Sequence, residues 1–173
     1  FETIHPFLDG NGRLGRLLIP LFLASEQILV KPALYLSDYF ERNKTAYVDH
    51  LMAVRQGNHM REWLLFFLYG VAETAHSSIA VFKSILVLKE RIDREILPRF
   101  SVRRQGNAQQ LMHYLYRHPI VDVKTITELL ETTQKTAGVL IEDMISYGVL
   151  TEMTGQRRNR LFVFKEYLAL FAR

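Results

Sequence analysis

Apolar residues recur at helical spacing through most of the first hundred residues. The pattern predicts an apolar helical segment over residues 14–23, a helix over about 37–55 and a very long helix over about 60–96. Pro20 lies inside the first segment and is expected to kink or end it, and Pro98 closes the last one. The first part of the chain is therefore predicted to be helical throughout.

The spacing of apolar residues changes after residue 106, where shorter helical patterns replace the long one. Helices are predicted over 107–118, 124–130 and 134–147, with Thr132 and Thr133 as a turn and N-cap and Gly148 just past the last helix. Two short strands follow, over 149–154 and 161–164, with a hairpin tip at 155–159. This order is typical of a winged helix-turn-helix. We predict two domains, 1–98 and 107–173, joined by a basic linker, 99–106.

Composition restricts the class of protein only broadly. Hydrophobic residues make up 49% and charged residues 23% of the 173, which is typical of a globular protein. The chain has no cysteine, so disulfides and thiolate zinc sites are excluded. The net charge of +4 permits a phosphate-bearing partner without requiring one. The strongest apolar run, 17–23, is too short to span a membrane. We expect a cytoplasmic protein that does not contact a membrane.

A glycine-bearing turn directly precedes the first apolar helix. Gly10 and Gly12 flank Asn11, so the backbone has access to conformations that other residues avoid. The unpaired N–H groups at a helix N-terminus form an anion site. Arg13 and Arg16 are three residues apart and therefore share one helix face, from which both could reach one polyphosphate.

Two further residues near this turn have catalytic chemistry. Asp9 offers a hard oxygen ligand of the kind that Mg²⁺ prefers, and His5 titrates near neutral pH, which suits a general base. However, glycine turns before helices are common, and a lone histidine is usually structural. No Gly-Lys-Ser/Thr follows, so the turn is not a Walker loop. From the residues alone, nucleotide chemistry and a purely structural turn both remain open.

Residues 5–13 resemble the Fic family signature, His-Pro-Phe-x-Asp/Glu-Gly-Asn-Gly/Lys-Arg, at every defined position. Arg16 is similar to the second arginine of AMP-transferring members. The resemblance is strong over residues 3–19 and weaker up to 98, and 107–173 resembles the winged helix that often follows Fic domains in bacterial proteins. It implies a mainly α fold, in which a partial Fic-type helical core without its N-terminal helices precedes a small α+β winged-helix domain.

The resemblance also implies a function, which is protein adenylyltransferase activity. AMP would pass from ATP to a Tyr, Thr or Ser hydroxyl of a target protein, with Mg²⁺ as cofactor. The same resemblance implies that His5 is the base, that Asp9 is the metal ligand and that Gly10, Asn11 and Gly12 form the anion hole. It also implies that Arg13 contacts the β/γ-phosphates and Arg16 the γ-phosphate. Phe7 would be an apolar anchor that holds the loop to the core.

Several alternatives remain open. The same loop could remove AMP, or transfer another nucleotide or phosphocholine. The chain could instead be a DNA-binding regulator with a nucleotide-sensing loop, in which phosphate contacts would come from Lys135, Arg157, Arg158 and Arg160. Dimerisation or target recruitment by the winged helix is favoured over DNA binding. Tyr35, Tyr39 and Tyr47 could line an adenine pocket or be modified, but their helical spacing favours a core role.

Overall fold

The computed structural model describes residues 1, 4–30, 34–156 and 159–172. The chain forms two compact units, residues 1–80 and 81–173. Helices dominate, and the described strands form one three-stranded antiparallel sheet. The predicted fold class, mainly α with a small α+β region, is confirmed.

The first unit consists of helices joined by short connections. They are α1 (Asn11–Ser25), α2 (Leu36–Arg42), α3 (Lys44–Gly57) and the first part of α4 (Met60–Arg91). The predicted helix over 37–55 is divided at Asn43, because the side-chain amide of Asn43 donates to the Tyr39 carbonyl (2.9 Å) and ends α2. Of the two outcomes expected for Pro20, a kink or the end of the first segment, the second is wrong. Pro20 is buried inside α1, and since a proline removes only one backbone donor, packing carries the helix past it.

The core of the first unit is small and aromatic. Its buried residues are Leu34, Leu36, Tyr39 and Phe40, with partly buried Tyr47, Phe66, Phe67 and Val71 among the side chains packed against them. The Phe40 ring stacks on Tyr47, with 4.7 Å between ring centroids. The core interpretation of Tyr39 and Tyr47 is confirmed. Tyr35 differs, because it is 71% exposed and lies outside this cluster.

The second unit begins within α4 and carries the sheet. After α4 come a π-helical turn (Ile92–Ile96), a short 3₁₀ turn (Leu97–Arg99), α5 (Val102–Leu115), β1 (Ile120–Asp122), α6 (Val123–Leu129), α7 (Gln134–Ser146), β2 (Thr151–Glu152), β3 (Leu161–Val163) and α8 (Lys165–Ala169). The predicted helices and strands of this region are present. Helix α5 begins five residues earlier than predicted, inside the segment interpreted as a linker. Strand β1 and helix α8 were not predicted.

The strand order is β1-β3-β2, so the unpredicted strand lies against the outer side of the hairpin. Phe162 in β3 is opposite Val121 on one side and Glu152 on the other. Phe162, Val121 and Phe164 are buried together with one face of each of α5, α6 and α7. The second unit therefore has a larger buried core than the first.

Local caps fix where the helices of the second unit begin. The Asp122 carboxylate accepts from the Thr125 backbone N–H (2.7 Å) at the start of α6, and this hydrogen bond lowers the pKa of Asp122. Thr133 accepts from the Thr136 N–H (3.2 Å) at the start of α7, which confirms the predicted N-cap. Gly148 follows α7 with a φ of 76°, in the left-handed region.

One described helix, Met60–Arg99, is long and apolar enough to cross a membrane by length and composition alone. Its best window has a mean hydropathy of 1.4, and 11% of that window is buried. This corrects the assignment of 17–23 as the strongest apolar run, because the charged residues of this helix are concentrated near its ends and leave an 18-residue window with at most two of them. A core helix of a soluble protein passes the same test, and the cytoplasmic location stays a prediction.

Candidate phosphate-binding loop

A buried asparagine closes the loop ahead of α1. Asn11 is only 2% exposed, and its side chain makes two hydrogen bonds to the backbone of Phe7. Oδ1 accepts from the Phe7 N–H (2.9 Å), and Nδ2 donates to the Phe7 carbonyl (2.6 Å). Because both ends of the amide are used, the side chain of Asn11 is a clasp. The burial of Asn11 and these two hydrogen bonds fix its side chain to Phe7, while its backbone N–H lies in the first turn of α1.

The first turn of α1 presents free donors to the loop. Gly10 precedes the helix with a φ of 79°, which a residue with a side chain rarely adopts. The first backbone N–H of the helix that donates a hydrogen bond to a preceding carbonyl is that of Leu14, which bonds to the Gly10 carbonyl (3.0 Å). The N–H groups of Asn11, Gly12 and Arg13 come before it and have no intrahelical acceptor. They form the positive end of the helix dipole, which favours a nearby anion.

Asp9 lies at the open side of the loop. Its Oδ1 accepts from the Gly10 N–H (2.6 Å), and its Oδ2 is 3.4 Å from Nη2 of Arg13, with both side chains strongly exposed. No group of three or more possible metal-ligating side chains occurs among the described residues. One carboxylate fits Mg²⁺ only where nucleotide phosphates supply further oxygens. Asp9 fits that arrangement, and the magnesium site stays a prediction.

A cavity of about 310 Å³ connects the two arginines with a later segment of the chain. Arg13, Arg16, Leu17 and Pro20 of α1 line one part of it, and residues 34–37 line the rest. The two arginines predicted to share a helix face therefore do line one cavity. A Cβ at Gly12 would lie 3.3 Å from Nη1 of Arg16, a tight contact that would shift the end of this side chain slightly.

Sequence reasoning named Tyr35 as one of three tyrosines that could line an adenine pocket, but it favoured a core role and did not name the other residues of 34–37. Tyr35 contributes a largely exposed aromatic ring, and Ser37 a hydroxyl, close to the arginine-lined wall. No local pattern marks these residues, because they follow the loop by more than twenty positions and only the fold brings them beside it. Of the three tyrosines predicted to belong to the core, Tyr35 is the one that is exposed instead.

His5 and Phe7 form the start of the loop. His5 is exposed, has a φ of 51° and donates its backbone N–H to the Phe1 carbonyl (3.0 Å). A positive φ at a residue with a side chain is a strained conformation of the kind that clusters at functional sites. Phe7 is 52% exposed, with its ring 6.3 Å from that of Phe1. The prediction that the Phe7 side chain is an apolar anchor is therefore wrong. The loop is held instead by the backbone of Phe7, which is hydrogen-bonded to Asn11.

The candidate DNA contacts have different surroundings. Lys135 is exposed in the first turn of α7. The guanidinium of Arg160 instead donates to the Glu152 carboxylate (2.8 Å) and lies 5.0 Å from the centre of the Phe162 ring. This hydrogen bond holds the pKa of Glu152 below its usual value. Arg157 and Arg158 lie outside the described residues.

Comparison with known proteins finds one family whose sequence model matches the segment that contains the loop. The sequence model of the Fic/DOC family matches residues 1–23. The matched segment contains the complete loop and α1 as far as Leu23, and therefore His5, Asp9, Asn11 and both arginines. The similarity is to a family of phosphotransfer enzymes and is limited to this short segment.

Proposed function

We propose that this chain is part of a protein adenylyltransferase, whose loop over residues 5–16 binds the phosphates of ATP. The observation that carries the proposal is that Arg13 and Arg16 line one cavity, on a helix whose N-terminus has no side-chain cap. Two guanidinium groups and a helix N-terminus together suit a polyphosphate. The Fic/DOC match over residues 1–23 supports Fic-type phosphotransfer at the level of the family.

The proposed reaction transfers the α-phosphoryl group together with its nucleoside. His5 would accept the proton of the target hydroxyl as that oxygen attacks the α-phosphorus. A bond from the target oxygen to phosphorus forms, the bond from phosphorus to the α,β-bridging oxygen breaks, and pyrophosphate leaves. The first-turn amides of α1 would bind the α-phosphate oxygens, and Arg13 and Arg16 the departing phosphates. Mg²⁺ held by Asp9 would supply charge neutralisation.

Label transfer tests this reaction directly. The protein is incubated with Mg²⁺, candidate target proteins and ATP labelled either at the α- or at the γ-phosphate. Adenylylation predicts covalent protein label from α-labelled ATP only. His5→Ala should lower the labelling rate about 10²–10⁴-fold, because a general base contributes that much. His76→Ala is the matched control: His76 is also exposed, but its ring contacts the Ala72 carbonyl (2.8 Å) within α4.

The labelling pattern also decides between the proposed reaction and its relatives. Label from γ-labelled ATP would indicate phosphate transfer. Loss of label from a previously adenylylated target would indicate AMP removal. If His5→Ala labels as fast as the unmodified protein and the His76→Ala control, the assigned base is wrong and the proposal fails.

A second candidate, DNA binding, is favoured by the topology of the second unit. Three helices, α5 to α7, precede the β2–β3 hairpin, and β1 pairs with that hairpin, which is the arrangement we infer to be a winged helix-turn-helix. An exposed Lys135 at the start of the third helix is its best-placed cation. Arg160 is less suitable, because it is already paired with Glu152.

A gel-shift titration over salt concentration tests this candidate. If the unit binds DNA through phosphates, Lys135→Ala should reduce the salt slope by about 1. Arg160→Ala should reduce it less, since its guanidinium contacts Glu152. The double variant Arg157→Ala/Arg158→Ala tests the remaining predicted contacts. Equal binding by all these variants, or no shift at low salt, would exclude the predicted DNA surface.

A further inference from the structure

The second unit contains a groove of about 410 Å³ that lies apart from the phosphate-binding loop in the chain. One side of the groove is formed by α5, and the other by the end of α4 and the π-helical and 3₁₀ turns that follow it. Small-molecule pockets typically measure about 300–1,000 Å³, so its size suits a ligand. The polar residues that line it are Lys89, Asp93, Gln105, Gln109, His113 and Tyr116.

A polar stripe on α5 forms one side of this groove. Gln105, Gln109 and His113 follow each other at intervals of four residues, so they lie on one helix face. The side-chain amides of Gln105 and Gln109 make no hydrogen bond within the described part of the chain. Gln110, next to them, instead donates its amide to the Leu129 carbonyl (3.0 Å). The two groove amides are thus available to a ligand.

The charges of the groove compensate each other. Lys89 and Asp93 form an ion pair, one turn apart, on the side opposite the glutamines. The lysine of the groove is therefore already paired and is a poor selector for a phosphate. A glutamine amide instead offers one acceptor and two donors, which match the adjacent donor and acceptor on the edge of a nucleobase.

The inner end of the groove is apolar and contains an unsatisfied hydroxyl. Leu97 and Met112 line it and are 4% and 3% exposed, which provides a surface for the face of a planar ring. The Tyr116 hydroxyl is buried without a hydrogen-bond partner in the described structure. Burial raises the pKa of Tyr116 to about 12, so the group stays a donor at neutral pH. An unpaired buried hydroxyl lowers stability unless a ligand pairs with it.

The backbone beside the groove is irregular as well. Asp93 lies in the π-helical turn Ile92–Ile96, directly after α4. Such turns are rare, and they occur frequently at functional sites. The irregular turn and the free amides lie at the groove, and the unpaired hydroxyl is buried beneath it, where a ligand would reach it after a local movement of the Tyr116 ring.

We propose that this groove binds a nucleobase-bearing molecule, with Gln105 and Gln109 reading the edge of the base and no requirement for phosphate. The site is contained within the second unit and does not depend on the activity proposed for the loop. A nucleoside bound here would be an effector or a recognition partner of the second unit.

Calorimetric titration of the full chain with adenosine, guanosine and uridine tests the proposal. We expect at least one nucleoside to bind, and Gln105→Ala/Gln109→Ala to weaken its binding about tenfold or more. Gln110→Ala, the matched control on the same helix, should bind normally. The absence of binding at millimolar concentration, or unchanged binding by the double glutamine variant, would overturn the proposal.

Tyr116→Phe supplies a second measurement, the change in melting temperature caused by the nucleoside. A hydroxyl with only a structural role would not affect this change. Because the hydroxyl has no described partner, its removal should leave the melting temperature of the free protein unchanged or raise it. The rise in melting temperature on adding the nucleoside should become smaller. A large fall in the melting temperature of the free variant, or an undiminished nucleoside effect, would contradict the role given to the hydroxyl.

Discussion

Replacing Asn11 with alanine removes both hydrogen bonds that close the loop on Phe7. Each such bond contributes a net of about 0.5–1.5 kcal/mol, so the first unit should lose about 1–3 kcal/mol of unfolding free energy. Phe7 is 52% exposed, and water can therefore reach its freed N–H and carbonyl. We accordingly expect the lower half of that range, about 1–2 kcal/mol.

Trp63 makes this loss measurable. It is the only tryptophan, and its ring lies 6.4 Å from Phe40 in the aromatic core of the first unit. Denaturant unfolding followed by tryptophan fluorescence should show a lower midpoint for Asn11→Ala with an unchanged slope. Asn107→Ala, an asparagine variant in α5 of the second unit, is the control and should leave the Trp63 transition in place.

Asn11→Asp sharpens the same test. Aspartate retains an acceptor for the Phe7 N–H but loses the donor to the Phe7 carbonyl and places a carboxylate against that oxygen. The loss of stability should be at least as large as for alanine. If Asn11→Ala left the Trp63 transition unchanged and lowered only the affinity for ATP, the side chain would be a ligand contact rather than a clasp, and our reasoning would be refuted.

Three further variants test the packing, a cap and a buried hydroxyl. Gly70→Ala places a Cβ 2.5 Å from the Tyr39 ring, so tryptophan fluorescence should report a loss of about 1–3 kcal/mol, and a neutral effect would contradict this packing. Asp122→Ala removes an N-cap worth about 0.5–2 kcal/mol. Because the pKa of Asp122 is lowered in the fold, this stability is present at neutral pH and is lost as pH falls through that pKa. Unfolding followed by circular dichroism should therefore show the variant and the unmodified protein converging in stability in acid. A constant difference would refute the cap. Burial raises the pKa of Tyr116 to about 12, so the fold loses stability as pH rises from the usual tyrosine pKa towards 12, where the unfolded chain gives up this proton first. Tyr116→Phe should therefore resist alkaline unfolding better, and equal sensitivity would argue against burial of the hydroxyl.

Local sequence signals were most reliable where they describe local structure. Helical periodicity located α4 and α7 within a few residues, and Thr133 identified its cap, because i to i+4 spacing and capping depend on near neighbours. The loop residues could be recognised for the same reason: His5, Asp9 and Arg13 lie within nine consecutive positions. Strand β1 escaped prediction, because three residues form a strand only when β3 pairs with them from forty positions away.

The linear sequence therefore determined which chemical groups this protein brings to its loop and most of the helices that carry them. Only the tertiary structure decided how those groups are used. It buried Asn11 as a clasp, left Phe7 exposed, and brought Tyr35 to the cavity of Arg13 and Arg16. The physical reason is that burial and pairing depend on residues distant in the chain, whereas helix formation and the composition of a loop depend on adjacent ones.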